Sequence, residues 1–175
     1  MPRLRKMLSD WDAPYIQPLV KLVETQSKST LAKWAVNYSQ RVILPLWIKH
    51  YPHDLRPQNA LNAAEEWLAG AVKLSQVKLA ILQCHGAARE TLANPVAQAA
   101  ARAIGQSAST IHSARHCMGL PLYGALAVAY DVLGIDASWE QLEQSAATEC
   151  GRMLGALQVV AVENEPNPVK IDWKC

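Results

Sequence analysis

His112 and His116 stand four residues apart, a spacing that puts two imidazoles on one helix face, where with His85 as a third ligand they could share a metal ion. Their surroundings argue for a different role. A H-E-x-x-H motif places a Glu inside the pair, whereas Ser113, Ala114 and Arg115 stand here, and the Arg charge opposes a cation. Hydrogen-bonded structural histidines are therefore expected, with no metal and no cofactor. Cys117 adjoins His116 but points to another side of the helix, so no nucleophile has a base in reach and no catalytic residue is assigned. Arginine offers other chemistry, because its guanidinium fork matches carboxylate or phosphate oxygens. Lys78, His85 and Arg89 are spaced seven and four apart and share one stripe, while Arg102, Gln106, Ser109, Ser113 and His116 form a narrow polar stripe further on. If the two helices pack antiparallel, His85 comes level with Ser107 and Arg89 with Arg102. His85, Arg89, Glu90, Arg102, His112 and His116 then converge in an interior polar groove, binding or structural. Its arginines need a counter-charge, which Glu90, Glu65, Glu66, Asp54 or Asp131 could supply.

Helices must hold those side chains. Asp12 and Pro14 open a short helix over 12–25, and Ser29 caps a longer one over 29–50 that Pro45 should bend. Asp54 and Pro57 start the next, closed near Gly70, with Arg56 reaching Glu65 or Asp54 to fix the incoming loop. Ser75 begins another, which Asn94-Pro95 interrupts and restarts, since proline suits a first helical turn but not an interior one. The helix from Pro95 is expected to run to Met118-Gly119 and one from Pro121 to Gly134, and Asp136 or Ser138 caps the last, Ser138 with Gln141 as a capping box. Residues 164–175, with two prolines, read as an extended tail. Trp34, Trp47 and Trp67 are expected to anchor the core, while Trp173 is either tucked back or available to another subunit. The expectation is an all-α single domain over 1–175, six or seven mostly antiparallel helices around a central Ala-rich hairpin.

Composition agrees with helix and bounds function. The 175 residues are 50% apolar and 18% charged, with 27 Ala, 21 Leu and no Phe. The 17 basic and 15 acidic side chains leave +2, unlike a typical nucleic-acid binder. No run of 18 uncharged apolar residues and no leader pattern occurs, so a soluble, cytoplasmic protein without membrane partner is expected. Cys84, Cys117, Cys150 and Cys175 form no C-x-x-C pair and read as free thiols; the first three recur every 33 residues, but their flanks do not repeat.

The motifs carry a resemblance. Leu31-Ala32-Lys33-Trp34-Ala35, Tyr51-Pro52-His53-Asp54-Leu55-Arg56-Pro57, Trp67-Leu68-Ala69-Gly70, His85-Gly86-Ala87-Ala88-Arg89-Glu90, Ala100-Ala101-Arg102-Ala103-Ile104-Gly105 and Thr110-Ile111-His112 with His116 make the run from Leu31 to Tyr130. That run resembles a family of small bacterial immunity proteins of polymorphic-toxin systems, with a family-like core over 28–134. This sequence departs where the family commonly has His after the Gly: Gln106 follows Gly105, which removes one imidazole. The resemblance implies a helical, non-enzymatic protein that neutralises a partner toxin by binding. Immunity proteins that block basic nucleases tend to be strongly acidic, and a chain at +2 lacks that field. The alternatives are a small-ligand or anion-binding helical protein using the Arg/His groove, and an oligomerisation domain, with a homo-oligomer compatible with either.

Overall fold

A computed structural model of the chain describes residues 4–174. Every regular element among them is helical: α1 (Gln17–Val23), α2 (Lys28–Tyr38), α3 (Leu44–His50), α4 (Arg56–Leu68), α5 (Leu74–Glu90), α6 (Pro95–Ser109), α7 (Ala125–Leu133) and α8 (Trp139–Val160). A π-helical turn, Ser39–Ile43, joins α2 to α3 without a break, so the described residues form seven helical rods in one domain. Pro45 lies in the first turn of α3, directly after the π turn. Proline has no N–H to donate and its ring crowds the preceding turn; widening that turn relieves both. Pro121 lies in a second π turn, Leu120–Gly124, that leads into α7.

The remaining boundaries follow from caps. Ser27, rather than Ser29, caps α2, its Oγ accepting the Thr30 N–H at 3.2 Å. Asn94 Oδ1 accepts the Ala97 N–H at 3.0 Å at the head of α6, and Ser138 and Gln141 exchange bonds of 3.2 and 3.0 Å at the head of α8. Gly70 (φ +76°) and Gly134 (φ +82°) take the positive φ that glycine adopts freely just past α4 and α7. The first helix is shorter than expected: Pro18 can occupy only a first turn, so α1 begins at Gln17 and not at residue 12.

The domain is built around α6. All of its 15 residues except Pro95, Arg102 and Gln106 are buried, and α2, α3, α4, α5 and α7 pack against it. Alanine makes that possible, since a helix without long side chains lets neighbours approach closely. The α5–α6 hairpin is antiparallel, with the Cys84 thiol on the Ala101 carbonyl at 3.3 Å and the Gln98 amide on the Ala88 carbonyl at 3.0 Å. Contrary to the sequence expectation, α6 stops at Ser109 and not near residue 118. Ser109 Oγ bonds the Gly105 carbonyl at 2.7 Å and Thr110 Oγ1 the Gln106 carbonyl at 3.3 Å, side-chain bonds that compete with a continuing backbone ladder. Ser113 is then extended (φ −146°, ψ 113°), and a 3₁₀ helix, Ala114–Met118, follows.

Both ends of the described chain are tied down. The Leu8 N–H bonds the Leu122 carbonyl at 2.8 Å, and the Tyr130 hydroxyl bonds the Arg5 carbonyl at 2.7 Å. The tail is held by Gln26, which is buried; its side chain bonds the Val162 N–H at 2.7 Å and carbonyl at 3.2 Å, while its own carbonyl takes the Val169 N–H at 2.9 Å. Cys175 lies outside the described residues. One stretch, Ala114–Leu133, is long and apolar enough on average to cross a membrane, and 67% of its most apolar window is buried inside this domain, as in a core helix.

Candidate functional site

The Asp54-Leu55-Arg56-Pro57 run forms a clamp. Trp47, wholly buried on α3, donates its indole N–H to the Asp54 carbonyl at 2.8 Å and stacks on Tyr51 with ring centroids 4.8 Å apart, which fixes the loop. The Asp54 carboxylate accepts the Arg56 backbone N–H at 3.1 Å and the Arg56 Nη2 at 2.7 Å. The far side of the same guanidinium grips both oxygens of Glu90, at 3.1 and 2.7 Å, joining the start of α4 to the end of α5. Hydrogen bonding to Arg56 holds the Asp54 and Glu90 carboxyls below their usual range. Pro57 is buried in the first turn of α4. Glu90 therefore belongs to this clamp and not to the polar groove in which the sequence places it.

The remaining groove residues come together in part. His85 lies against α6 so closely that a Cβ on Gly105 would fall 2.5 Å from its ring; the imidazole sits two residues from Ser107, the neighbour expected for it. Ser107 instead bonds Ser39 at 2.7 Å. Burial, then the charges of Arg89 and Arg102, lower the His85 pKa below its ordinary 6.5. Arg102 is half-buried, with its Cζ 6.0 Å from the centre of the Tyr123 ring and its Nε buried without a hydrogen-bond partner. The expected counter-charges lie elsewhere: Asp54 and Glu90 on Arg56, and Asp131 on Lys49 at 2.7 Å. Among the described residues no ion pair reaches Arg89 or Arg102.

Because α6 ends early, His112 and His116 do not share a helix face: His112 is in an exposed turn and His116 in the 3₁₀ helix. Their rings still meet edge to face, 5.5 Å apart. His116 Nδ1 is 2.7 Å from Gln106 Oε1, so the residue standing in place of an imidazole orients the one that remains. The Gln106 stem lies over Gly119, where a Cβ would come within 2.2 Å of it. Burial lowers the pKa of both histidines, helped at His116 by His112, Arg115 and His85, and at His112 by Lys78 and Lys28. No group of three or more His, Cys, Asp or Glu side chains able to hold a metal occurs among the described residues. Beside His116 opens a cavity of about 460 Å³, walled by Gln106, Arg115, Tyr123, Trp11 and Trp173. Trp173 is tucked back, its indole N–H on Glu24 at 2.7 Å.

A second concavity escaped the sequence reading. An open groove of about 820 Å³ runs between α2, α4 and α8, walled by Trp34, Leu68 and Ala156 and rimmed by Lys33, Arg41 and Glu65. Val159 at its edge is 85% exposed, and a Cβ on Gly155 would meet nothing within 4 Å. The signal in the sequence is a set of four-residue spacings: Lys33 and Asn37 on α2 with Arg41 in the π turn that continues it, and Gly155 and Val159 on α8. The cysteines supply no site. Cys84 lies on α5, Cys117 in the 3₁₀ helix and Cys150 on α8, unlike elements that make no structural repeat. All three are buried, which pushes the Cys84 and Cys150 thiols up to about 12 and keeps them protonated.

No curated protein and no solved structure matches the chain. A family model does match, over residues 21–156, extending past both ends of the 31–130 run that carries the sequence resemblance. The span takes in the Arg56 clamp, the hairpin with His85 and Arg102, His112 and His116, and most of the residues around the α2–α4–α8 groove. The chain belongs to the Imm-5 like putative immunity protein family.

Proposed function

We propose that this protein is a non-enzymatic, cytoplasmic immunity protein that neutralises a partner toxin by docking it in the groove between α2, α4 and α8. The observation that carries the reading is the groove itself: an open apolar concavity in a member of an immunity-protein family. Its residues suit a protein partner. Val159 offers exposed apolar area whose burial is worth about 1.5 kcal/mol or more. Lys33 and Arg41 on the rim are in no ion pair among the described residues, so the complementary segment is apolar with carboxylates facing α2.

Co-expression with the product of a neighbouring gene that kills the host when expressed alone tests this. The expected result is restored growth of the host and a stable complex of the two purified proteins. Killing that is undiminished when the chain is abundant and folded would contradict it.

A further inference from the structure

The cavity beside His116 is assembled from four separated stretches of chain, the 3₁₀ helix and the second π turn forming one of them. Gln106 comes from α6, Arg115 and His116 from the 3₁₀ helix, Tyr123 from the second π turn, Trp11 from the N-terminal segment and Trp173 from the tail. The polar side chains and Tyr123 lie within the residues matched by the family model, and the two indoles lie outside them. The floor thus lies within the span that the family model matches, and the walls come from the flanks of this chain.

Those walls are fixed. The Trp11 and Trp173 rings pack 5.4 Å apart at 48°, and Glu24 holds the Trp173 indole N–H at 2.7 Å. Across from them, His116 is oriented by its Nδ1 contact with Gln106, which turns Nε2 away from that bond. Arg115 is exposed and in no ion pair among the described residues. The charged groups that act on His116 are cationic or become so: His85 from α5, His112 from the turn after α6 and Arg115 beside it. The nearby carboxylate of Glu24 is engaged by Trp173. A volume of about 460 Å³ falls in the range of small-molecule sites, and the lining mixes aromatic faces with the polar groups of Gln106, Arg115 and His116.

We propose that this cavity binds a small aromatic carboxylate, its ring against Trp11, Trp173 and Tyr123 and its carboxylate on Arg115 and His116. Aromatic faces reward a flat apolar body, and a guanidinium beside an imidazole rewards an oxyanion; inorganic phosphate would use only the second feature. A carboxylate next to His116 favours the imidazolium, so binding raises the pH at which that ring titrates. The site does not rest on the toxin-docking reading, which concerns a different face of the molecule.

Benzoate, acetate and inorganic phosphate are the probes, followed by tryptophan fluorescence and by NMR titration of the histidine rings in the full chain. Benzoate is expected to perturb the indole emission, to move the His116 titration upward and to bind at least about tenfold tighter than acetate or phosphate. Arg115→Ala and Trp173→Ala should each weaken benzoate about tenfold or more, ~1.4 kcal/mol. Because Trp173 also ties down the tail, Trp173→Leu serves as a second variant that keeps bulk and removes the aromatic face. No response to benzoate, equal binding of all three anions, or benzoate binding indifferent to Arg115→Ala and to both Trp173 variants overturns the proposal.

Discussion

Gly105 and His85 show how a single contact sets the geometry of the polar cluster. A Cβ at Gly105 would overlap the imidazole at 2.5 Å, so Gly105→Ala must displace the ring and is expected to destabilise the protein by roughly 1–3 kcal/mol. In a His85→Ala background the same substitution meets no ring, and it should stabilise by up to about 1 kcal/mol, because alanine is the better helix former. Denaturant unfolding of the four proteins checks this reversal of sign; equal effects in both backgrounds would remove the ring from α6. The neighbourhood of His85, Arg89 and Arg102 was legible in the sequence, because helical spacing and the Asn94-Pro95 break dictate which side chains come level across a hairpin. The ion pairs were only partly legible. Arg56 was expected to reach Asp54 or Glu65, and it bonds Asp54 but also Glu90, 34 residues away, a contact that depends on how α4 lies on α5. Trp173 was undecidable from sequence for the same reason, since its partners Trp11 and Glu24 are brought to it by the whole fold.

Several helix starts were legible, although α1 begins at Gln17 and not at residue 12. Proline and side-chain caps act within one turn, so Asn94-Pro95, Arg56-Pro57 and the Ser138–Gln141 box could be placed from local chemistry alone. The end of α6 is not marked in the sequence, because Ser109 and Thr110 can equally point outward from a continuing helix; here their hydroxyls turn back onto the Gly105 and Gln106 carbonyls. This account makes Asn94 the residue that starts the central rod. Asn94→Ala should cost about 1 kcal/mol by removing the acceptor for the Ala97 N–H, while Asn94→Asp should retain it. Urea unfolding midpoints at constant slope measure both, and a cost-free Asn94→Ala would mean that the Ala97 N–H finds another partner. The α2–α4–α8 groove lay beyond the sequence reading because three elements distant in the chain make it, and a glycine on a helix face looks the same whether it packs against a neighbour or opens a concavity.

At the scale of the whole molecule, acid is expected to weaken the fold in two stages. An unfolded imidazole takes up its proton near pH 6.5, whereas His85, His112 and His116 do so at lower pH when folded. Between those values the unfolded state holds more protons, so stability falls as pH falls below about 6.5, by up to about 1.4 kcal/mol per pH unit for each extra proton. Asp54, held low by Arg56, adds a second loss beginning near pH 4. Thermal melts between pH 7.5 and 3 should show both, with the first stage flattened in a variant carrying Asn at all three histidine positions; a stability unchanged from pH 7 to 5.5 would mean that these rings titrate normally.

The central claim is that a toxin is held in the groove between α2, α4 and α8, and two glycines of α8 allow it to be tested without disturbing the fold. Neither Gly151 nor Gly155 has a neighbour within 4 Å of a would-be Cβ, and only Gly155 lies among the residues that wall the groove. Calorimetric titration of the toxin against Gly155→Arg and Gly151→Arg is the most direct measurement. The account predicts that Gly155→Arg keeps its melting temperature but loses affinity by about a hundredfold or more, while Gly151→Arg binds as the unaltered protein does. Equal affinities for all three proteins would contradict it.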